Sequence, residues 1–407
     1  MKIVNIDELR KVAVEYRADV DVWEVAKEAE DLYKAVKLVG IQNVTTTYGK
    51  EERSWDKISK RVRALAAYIM MHKLQMRDSS LSVNRLQEHF GDVSIETHLG
   101  YRMGINGVSL TTLSIAEIIE KYIGSGREVE KSTNKKFWAK SLYELIVKNN
   151  RNVDLFSLWS ECENLYLSIV TVGLDDTVIW LNDNGKEIIL KGKEIPERMR
   201  AFSLFTVVHM YRLQDDDVHM KYLEERYELP FSVRIILGDT DIFMDKLDNL
   251  KCISLNEIVG RYFKEKDTRR IEARKIYFQT PYDAIEMKLL DTEYTDSIYH
   301  MWEAMDAFYK ASKIVGIDNV SVKYIDANKK PDTVEGRNVA PRIRAFVEEA
   351  VLYMYRMSDS SESRSRLEHH LGLEYSSRFI LGDTKVVCCS NNISMPCVSM
   401  KELIEEI

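Results

Sequence analysis

The chain has 407 residues, 45% of them hydrophobic, and 58 basic against 65 acidic side chains give it a formal net charge of −7. That apolar content excludes a disordered chain, the length suits two to four domains, and so modest an acidic surplus excludes the strong field of a histone-like binder. No run approaches about eighteen uncharged apolar residues, and "MKIVNIDELRKVAVEYRADV" has no apolar signal core, so the expectation is a soluble, cytoplasmic protein with no membrane partner.

In chain order, "IDELRKVAVEYR" predicts a short helix and "AEDLYKAVKLVG" a longer one stopped by Gly40 at C′. "KRVRAL" at 60–65 opens the longest helix, with one side at Val62, Leu65, Ile69, His72 and Met76 in 3,4,3,4 spacing. "MRDSS" at 76–80 offers N-caps for a further helix that runs to "HFG". Ser114 and Glu117 in "LSIAEIIEKYI" form an S-x-x-E capping box that starts a closing helix.

The same order then recurs twice. "LYKAVKLVGIQNV" at 32–44 matches "FYKASKIVGIDNV" at 308–320 without a gap, and "LYLSIVTVGLDDTV" at 165–178 is a more diverged copy. Tyr33, Tyr166 and Tyr309 precede Gly40, Gly173 and Gly316 by the same interval, and "ERMRAF" at 197–202 and "PRIRAF" at 341–346 repeat the helix opening. Asn184-Gly185 marks a hairpin, and "FSVRIILGDTDIFM" and "SRFILGDTKVVCC" read as strand, Gly-Asp turn, strand. Ser254 with Glu257 and Ser399 with Glu402 repeat the capping box. The expected fold is α+β: three tandem repeats of a module with helices on a small antiparallel sheet, spanning residues 1–126, 135–264 and 276–407. Charged, glycine- and serine-bearing linkers, "GSGREVEKSTNKK" and "KEKDTRRIEARK", separate them.

Candidate chemistry starts with the repeated arginines. At about 100° per residue, Arg63, Arg200 and Arg344 fall roughly 140° from the apolar stripe, an outward row suited to an acidic partner, a phosphate backbone or a neighbouring module's carboxylate. Lys135, Lys136 and Trp138, and then Arg269, Arg270 and Arg274, interleave cations with aromatics in the manner of a nucleic-acid groove. These nine residues are the candidate partner-binding set.

Asp215, Asp217, His219 and Asp239 would suit a metal-dependent hydrolase in the middle copy, although an aspartate run more often caps a helix and a Gly-Asp turn needs no catalytic explanation. The five cysteines contain no CxxC pair, and His72 and His209 fall on the apolar stripe as core residues. No GxSxG, HExxH, Walker A or GxGxxG is present, so the sequence implies no cofactor and no metal. Shared structural positions with diverged polar ones favour a non-enzymatic interaction or scaffolding protein with a protein partner. Nucleic-acid binding is the alternative, and the hydrolase a second one.

Overall fold

The computed structural model describes residues 2–74, 80–99, 113–124, 136–211, 217–238, 254–262, 274–290, 295–355, 361–382 and 399–405. Module 1 runs β1 (Lys2–Asn5), α1 (Asp7–Glu15), α2 (Val22–Val39), β2 (Val44–Tyr48), β3 (Glu51–Ser54), α3 (Lys60–Lys73), α4 (Ser80–His89), α5 (Ile95–Leu99) and α6 (Ile115–Ile123). Module 2 repeats the order as β4 (Phe137–Trp138), α7 (Lys140–Ile146), α8 (Leu155–Val172), β5 (Val178–Asp183), β6 (Lys186–Lys191), α9 (Glu197–Tyr211), α10 (Asp217–Arg226), α11 (Val233–Ile236) and α12 (Leu255–Tyr262). Module 3 has β7 (Arg274–Tyr277), α13 (Gln279–Tyr282, continued by a π turn over Asp283–Met287), α14 (Thr295–Val315), β8 (Val320–Ile325), β9 (Pro331–Glu335), α15 (Pro341–Tyr355), α16 (Ser361–His370), α17 (Ser377–Ile380) and α18 (Met400–Glu405). The fold is α+β, three tandem helix and sheet modules.

Each sheet has three strands. Its hairpin is antiparallel, and the middle copy turns at Asn184 (φ 53°) and Gly185 (φ 84°), left-handed values that an Asn-Gly pair accepts at little cost. The opening strand of each module, which the pattern of residues does not announce, joins the hairpin in parallel: Lys2 faces Val44 and Arg274 faces Val320. Two helices lie between those strands, the length of connection that a parallel pair needs.

The long helix α2 starts on the Asp21 side chain, which accepts from the backbone of Trp23 at 2.9 Å, and stops at Gly40, φ 78°. Glu28 reaches from its buried side to the amide of Leu9, 2.7 Å away, and so caps α1 from a neighbouring helix; Glu161 does the same for Leu142 at 2.7 Å. The S-x-x-E boxes form as expected, with Ser114, Ser254 and Ser399 each bonded reciprocally to Glu117, Glu257 and Glu402.

Two expectations are corrected. The segments beginning at Ser232 and Ser376 are short helices rather than strands, N-capped by those serines and followed by Gly238 and Gly382; Asp239 and Asp383 and the expected strands after them lie outside the described residues. The hexapeptide helices are not one-faced either. In α3 every residue from Val62 to Lys73 is buried, and in α15 every residue from Ile343 to Met354.

The reason for that burial is a closed arrangement of the modules. Helices α2, α8 and α14 each touch the other two, making a three-helix centre. Each closing helix crosses to another module: α6 packs on α8, α12 on α14, and α18 returns to α2. Tyr166 Oη donates to the carbonyl of Lys73 at 2.7 Å, Tyr309 Oη to that of Met210 at 3.2 Å, and Tyr33 Oη to that of Met354 at 3.2 Å. Module 2 thus bonds module 1, module 3 bonds module 2, and module 1 bonds module 3, the same contact made three times in a cycle. One hydrophobic core runs through all three modules.

Candidate functional site

The repeated arginines are placed opposite to expectation. Arg63, Arg200 and Arg344 are 4%, 3% and 7% exposed, and their guanidinium groups serve backbone carbonyls. Arg63 Nη1 donates to Phe90 O at 2.9 Å and Gly91 O at 3.0 Å. Arg200 donates to Ile195 O at 3.0 Å, Tyr227 O and Glu228 O, and Arg344 to Val339 O at 2.8 Å, Leu371 O at 2.9 Å and Gly372 O. In every copy the arginine closes off the C-terminal carbonyls of the following helix, where a cation also opposes the helix dipole. A Cβ on Gly91 (φ 79°) would meet Arg63 Nη1 at 2.5 Å, so the helix stop and the arginine require each other. These three side chains offer nothing to an external partner.

The linker candidates scatter. Lys135, Arg269 and Arg270 lie outside the described residues, and Lys136 is exposed. Trp138 meets Trp180 edge-on at 4.3 Å between ring centroids. Arg274, at the start of β7, lies 4.5 Å from the ring centroid of Phe156 in module 2, and Lys2, its equivalent in β1, lies 4.1 Å from that of Tyr299 in module 3. The pairs made by Arg274 and Lys2 therefore join one module to another. The side chains of Asp215, Asp217, His219 and Asp239, and residues Cys252, Cys388, Cys389 and Cys397, are outside what the structure describes; Cys162 is buried. Among the described residues no cluster of His, Cys, Asp or Glu is arranged to hold a metal ion.

A buried cation marks each seam between modules. Lys313 Nζ donates to His209 O at 2.6 Å and Met210 O at 2.9 Å, beside His370, whose ring lies edge-on to His209 at 5.8 Å. At the equivalent place where module 1 meets module 3, Lys37 Nζ is 3.2 Å from His89 Nε2 and 3.6 Å from the Tyr353 ring centroid. In module 2 the lysine position is Val170 and the histidine position is Arg226, and Arg226 faces His72 of module 1. At this place in each seam a cation is kept although its position in the sequence changes. Burial, then the field of the cation, lowers His72 to about 3 and holds His89 and His370 well below the usual imidazole range.

Module 3 alone carries Glu348, Glu349 and Arg364 where module 2 has Leu204, Phe205 and Met220 and module 1 has Ala67, Tyr68 and Val83. Arg364 Nη2 donates to Glu349 Oε2 at 3.1 Å and Ser377 Oγ to Glu349 Oε1 at 3.1 Å, while Glu348 Oε1 is 3.4 Å from Arg364. Burial, then the neighbouring Glu349 and Glu368, raises Glu348 to about 9, so it is a neutral acid at pH 7. All four side chains are sealed from solvent, which removes them from contact with a substrate.

Two pairs of large apolar side chains face outward. On α11 and the residues before it, Phe231 is 62% and Ile235 68% exposed; at the same places around α17, Tyr375 is 63% and Phe379 75% exposed, with ring centroids 5.6 Å apart. The spacing i, i+4 puts each pair on one side of its short helix. In module 1 the same positions are Val93, buried, and Thr97, exposed and polar. Reading these segments as strands hid the pairs, although a serine N-cap before a glycine stop was the signal for a helix. No family model matches the chain, and neither a curated protein nor a solved structure matches it.

Proposed function

We propose that the protein is a non-enzymatic binding protein that engages a protein partner through the outer faces of α11 and α17. The observation that carries this reading is the pair of like apolar couples, Phe231 with Ile235 and Tyr375 with Phe379, left in water at equivalent places of two modules. Aromatic and large aliphatic side chains grouped outside a core are the usual anchors of protein interfaces. The two couples belong to one closed body, so a partner with two apolar pockets gains its second contact at a fixed separation. Module 1, with Thr97 at that place, contributes no anchor. With Arg63, Arg200 and Arg344 engaged on carbonyls, the nucleic-acid alternative rests on the linkers alone.

A photo-crosslinking residue placed in turn at Ile235, Phe379 and Thr97 tests the proposal. The same polypeptide should be captured from the first two positions and not from the third, with capture surviving nuclease and lost in Phe231→Ser/Ile235→Ser. Equal capture from all three positions, or capture abolished by nuclease, overturns it.

A further inference from the structure

The seam that closes the ring, between the first module and the last, contains a cleft of about 490 Å³ lined from β1 (Lys2, Asn5), α2 (Asp31, Lys34) and α14 (Tyr299, Trp302, Glu303, Asp306). That volume is in the range of small-molecule sites. Several of its polar groups are already engaged: Asn5 donates to Glu28 at 3.1 Å, Lys34 pairs with Glu30 at 2.6 Å, and Asp306 pairs with Lys310 at 2.9 Å and accepts from Tyr355 at 2.7 Å. Three are differently placed. Tyr299 Oη is buried with no hydrogen-bond partner, Lys2 has its ammonium over the Tyr299 ring, and the Asp31 carboxyl, raised by burial, acts on the Tyr299 hydroxyl through its field. Burial, then Asp31 and Asp296, holds the Tyr299 phenol well above its usual range, so it remains a donor.

The internal repeat supplies a comparison. At the seam between modules 2 and 3 the cation is Arg274, but Phe156 stands for Tyr299, Ser160 for Glu303 and Ala307 for Asp31. Apolar packing of a cation on a ring is therefore enough to join two modules. The hydroxyl and the two carboxylates are additions made where the chain itself does not link the modules. A buried hydroxyl without a partner is destabilising, so its presence asks for a reason beyond the joint.

We propose that this cleft binds a small zwitterion of amino-acid to dipeptide size and that the bound molecule clamps the ring shut. Its carboxylate lies against the donors Lys2 and Tyr299 Oη, and its ammonium against Asp31. Because β1 and α2 belong to module 1 and α14 to module 3, such a ligand binds the closed state alone and stabilises it by linkage. The cleft shares no residue with the partner site on α11 and α17.

Thermal unfolding of the full chain is measured with common L-amino acids and glycyl dipeptides, then with N-acetylated and amidated forms of any that act. Zwitterions should raise Tm and slow hydrogen exchange in both β1 and α14, and either single blocking should weaken binding about tenfold or more. Without ligand, Asp31→Asn and Tyr299→Phe should unfold at or above the parent's temperature, since each relieves a buried polar group, and both should lose the ligand-induced rise. Absence of a shift with every zwitterion, a shift unchanged in both variants, or equal binding of a blocked form overturns the proposal.

Discussion

The hydroxyl of Tyr33 donates to the carbonyl of Met354 across 3.2 Å, though 321 positions of chain separate them. Tyr166 on Lys73 and Tyr309 on Met210 are the same bond at the other two seams. Removing one hydroxyl takes a hydrogen bond from a carbonyl at the seam, at a cost of about 1 kcal/mol, although Met210 O keeps its bond from Lys313 Nζ at 2.9 Å. Tyr33→Phe and Tyr166→Phe should therefore lose similar stability in denaturant unfolding, and Tyr309→Phe somewhat less, since Lys313 still serves Met210 O. Tyr33→Phe should also quicken hydrogen exchange in α2 and α15 together. A silent Tyr33→Phe beside two costly partners would mean that the first and last modules are not joined.

The cation at each seam permits a sharper test. Modules 1 and 3 combine a lysine on the long helix with a histidine at the end of the following short one, Lys37 with His89 and Lys313 with His370; module 2 combines Val170 with Arg226. Val170→Lys alone places two cations at one buried seam and should destabilise by about 2 kcal/mol or more, while Arg226→His alone removes a buried cation whose guanidinium nitrogens have no hydrogen-bond partner among the described residues and should cost less. The double variant Val170→Lys/Arg226→His restores the arrangement of the other seams and should recover most of the loss. A double-mutant cycle read by urea unfolding gives the coupling directly, and additive losses would refute a shared cation site.

What was legible in the sequence was local. Asn184-Gly185, the three S-x-x-E boxes and the glycine stop at Gly40 each involve residues within a few positions of each other, and each formed. Arg63 was misplaced because its partners are the carbonyls of Phe90 and Gly91, fixed only when α4 returns to α3. "SVRII" could be read as strand or helix because three apolar residues in a run of five are too few to show a period. The candidate anchors Phe231 and Tyr375 were lost with that reading, and nothing in the repeat states that its third copy closes on its first.

The buried acids of module 3 can be compared with the chain's own alternative. Glu348, Glu349 and Arg364 occupy space that Leu204, Phe205 and Met220 fill in module 2. Burying charges costs several kcal/mol each, and exchanging such a set for packed apolar residues is often stabilising by about 1–4 kcal/mol. Glu348→Leu/Glu349→Phe/Arg364→Met should raise Tm, with the gain larger at pH 9.5 than at pH 7. The sign follows from Glu348: its carboxyl is held to about 9 in the native chain against 4.5 without the fold, so stability falls as pH rises through that window. Arg364→Met alone, which strands two carboxyls, should be strongly destabilising. A triple variant no more stable than the parent at either pH would show that the cluster repays its desolvation.

Glu28 gives the pH response at the other modules. Burial raises its carboxyl to about 7 despite the backbone bond from Leu9, against 4.5 without the fold. Between those values the native chain holds a proton that the unfolded chain has released, so stability present at pH 5 is lost as pH rises toward 8. Glu28→Gln keeps an acceptor for Leu9, and the Asn5 amide can turn its oxygen toward the new amine, so the cap survives without the charge. Its unfolding free energy should match the parent near pH 5 and exceed it by about 1–3 kcal/mol at pH 8. Glu28→Ala leaves the Leu9 amide unpaired and should be less stable at pH 5 by about 1 kcal/mol. His72 acts on the opposite limb: native at about 3 and unfolded near 6.5, it withdraws stability as pH falls below about 6.5, so His72→Gln should flatten the acid side and leave pH 8 unchanged. Parallel pH curves for parent and Glu28→Gln would place the titration elsewhere in the fold.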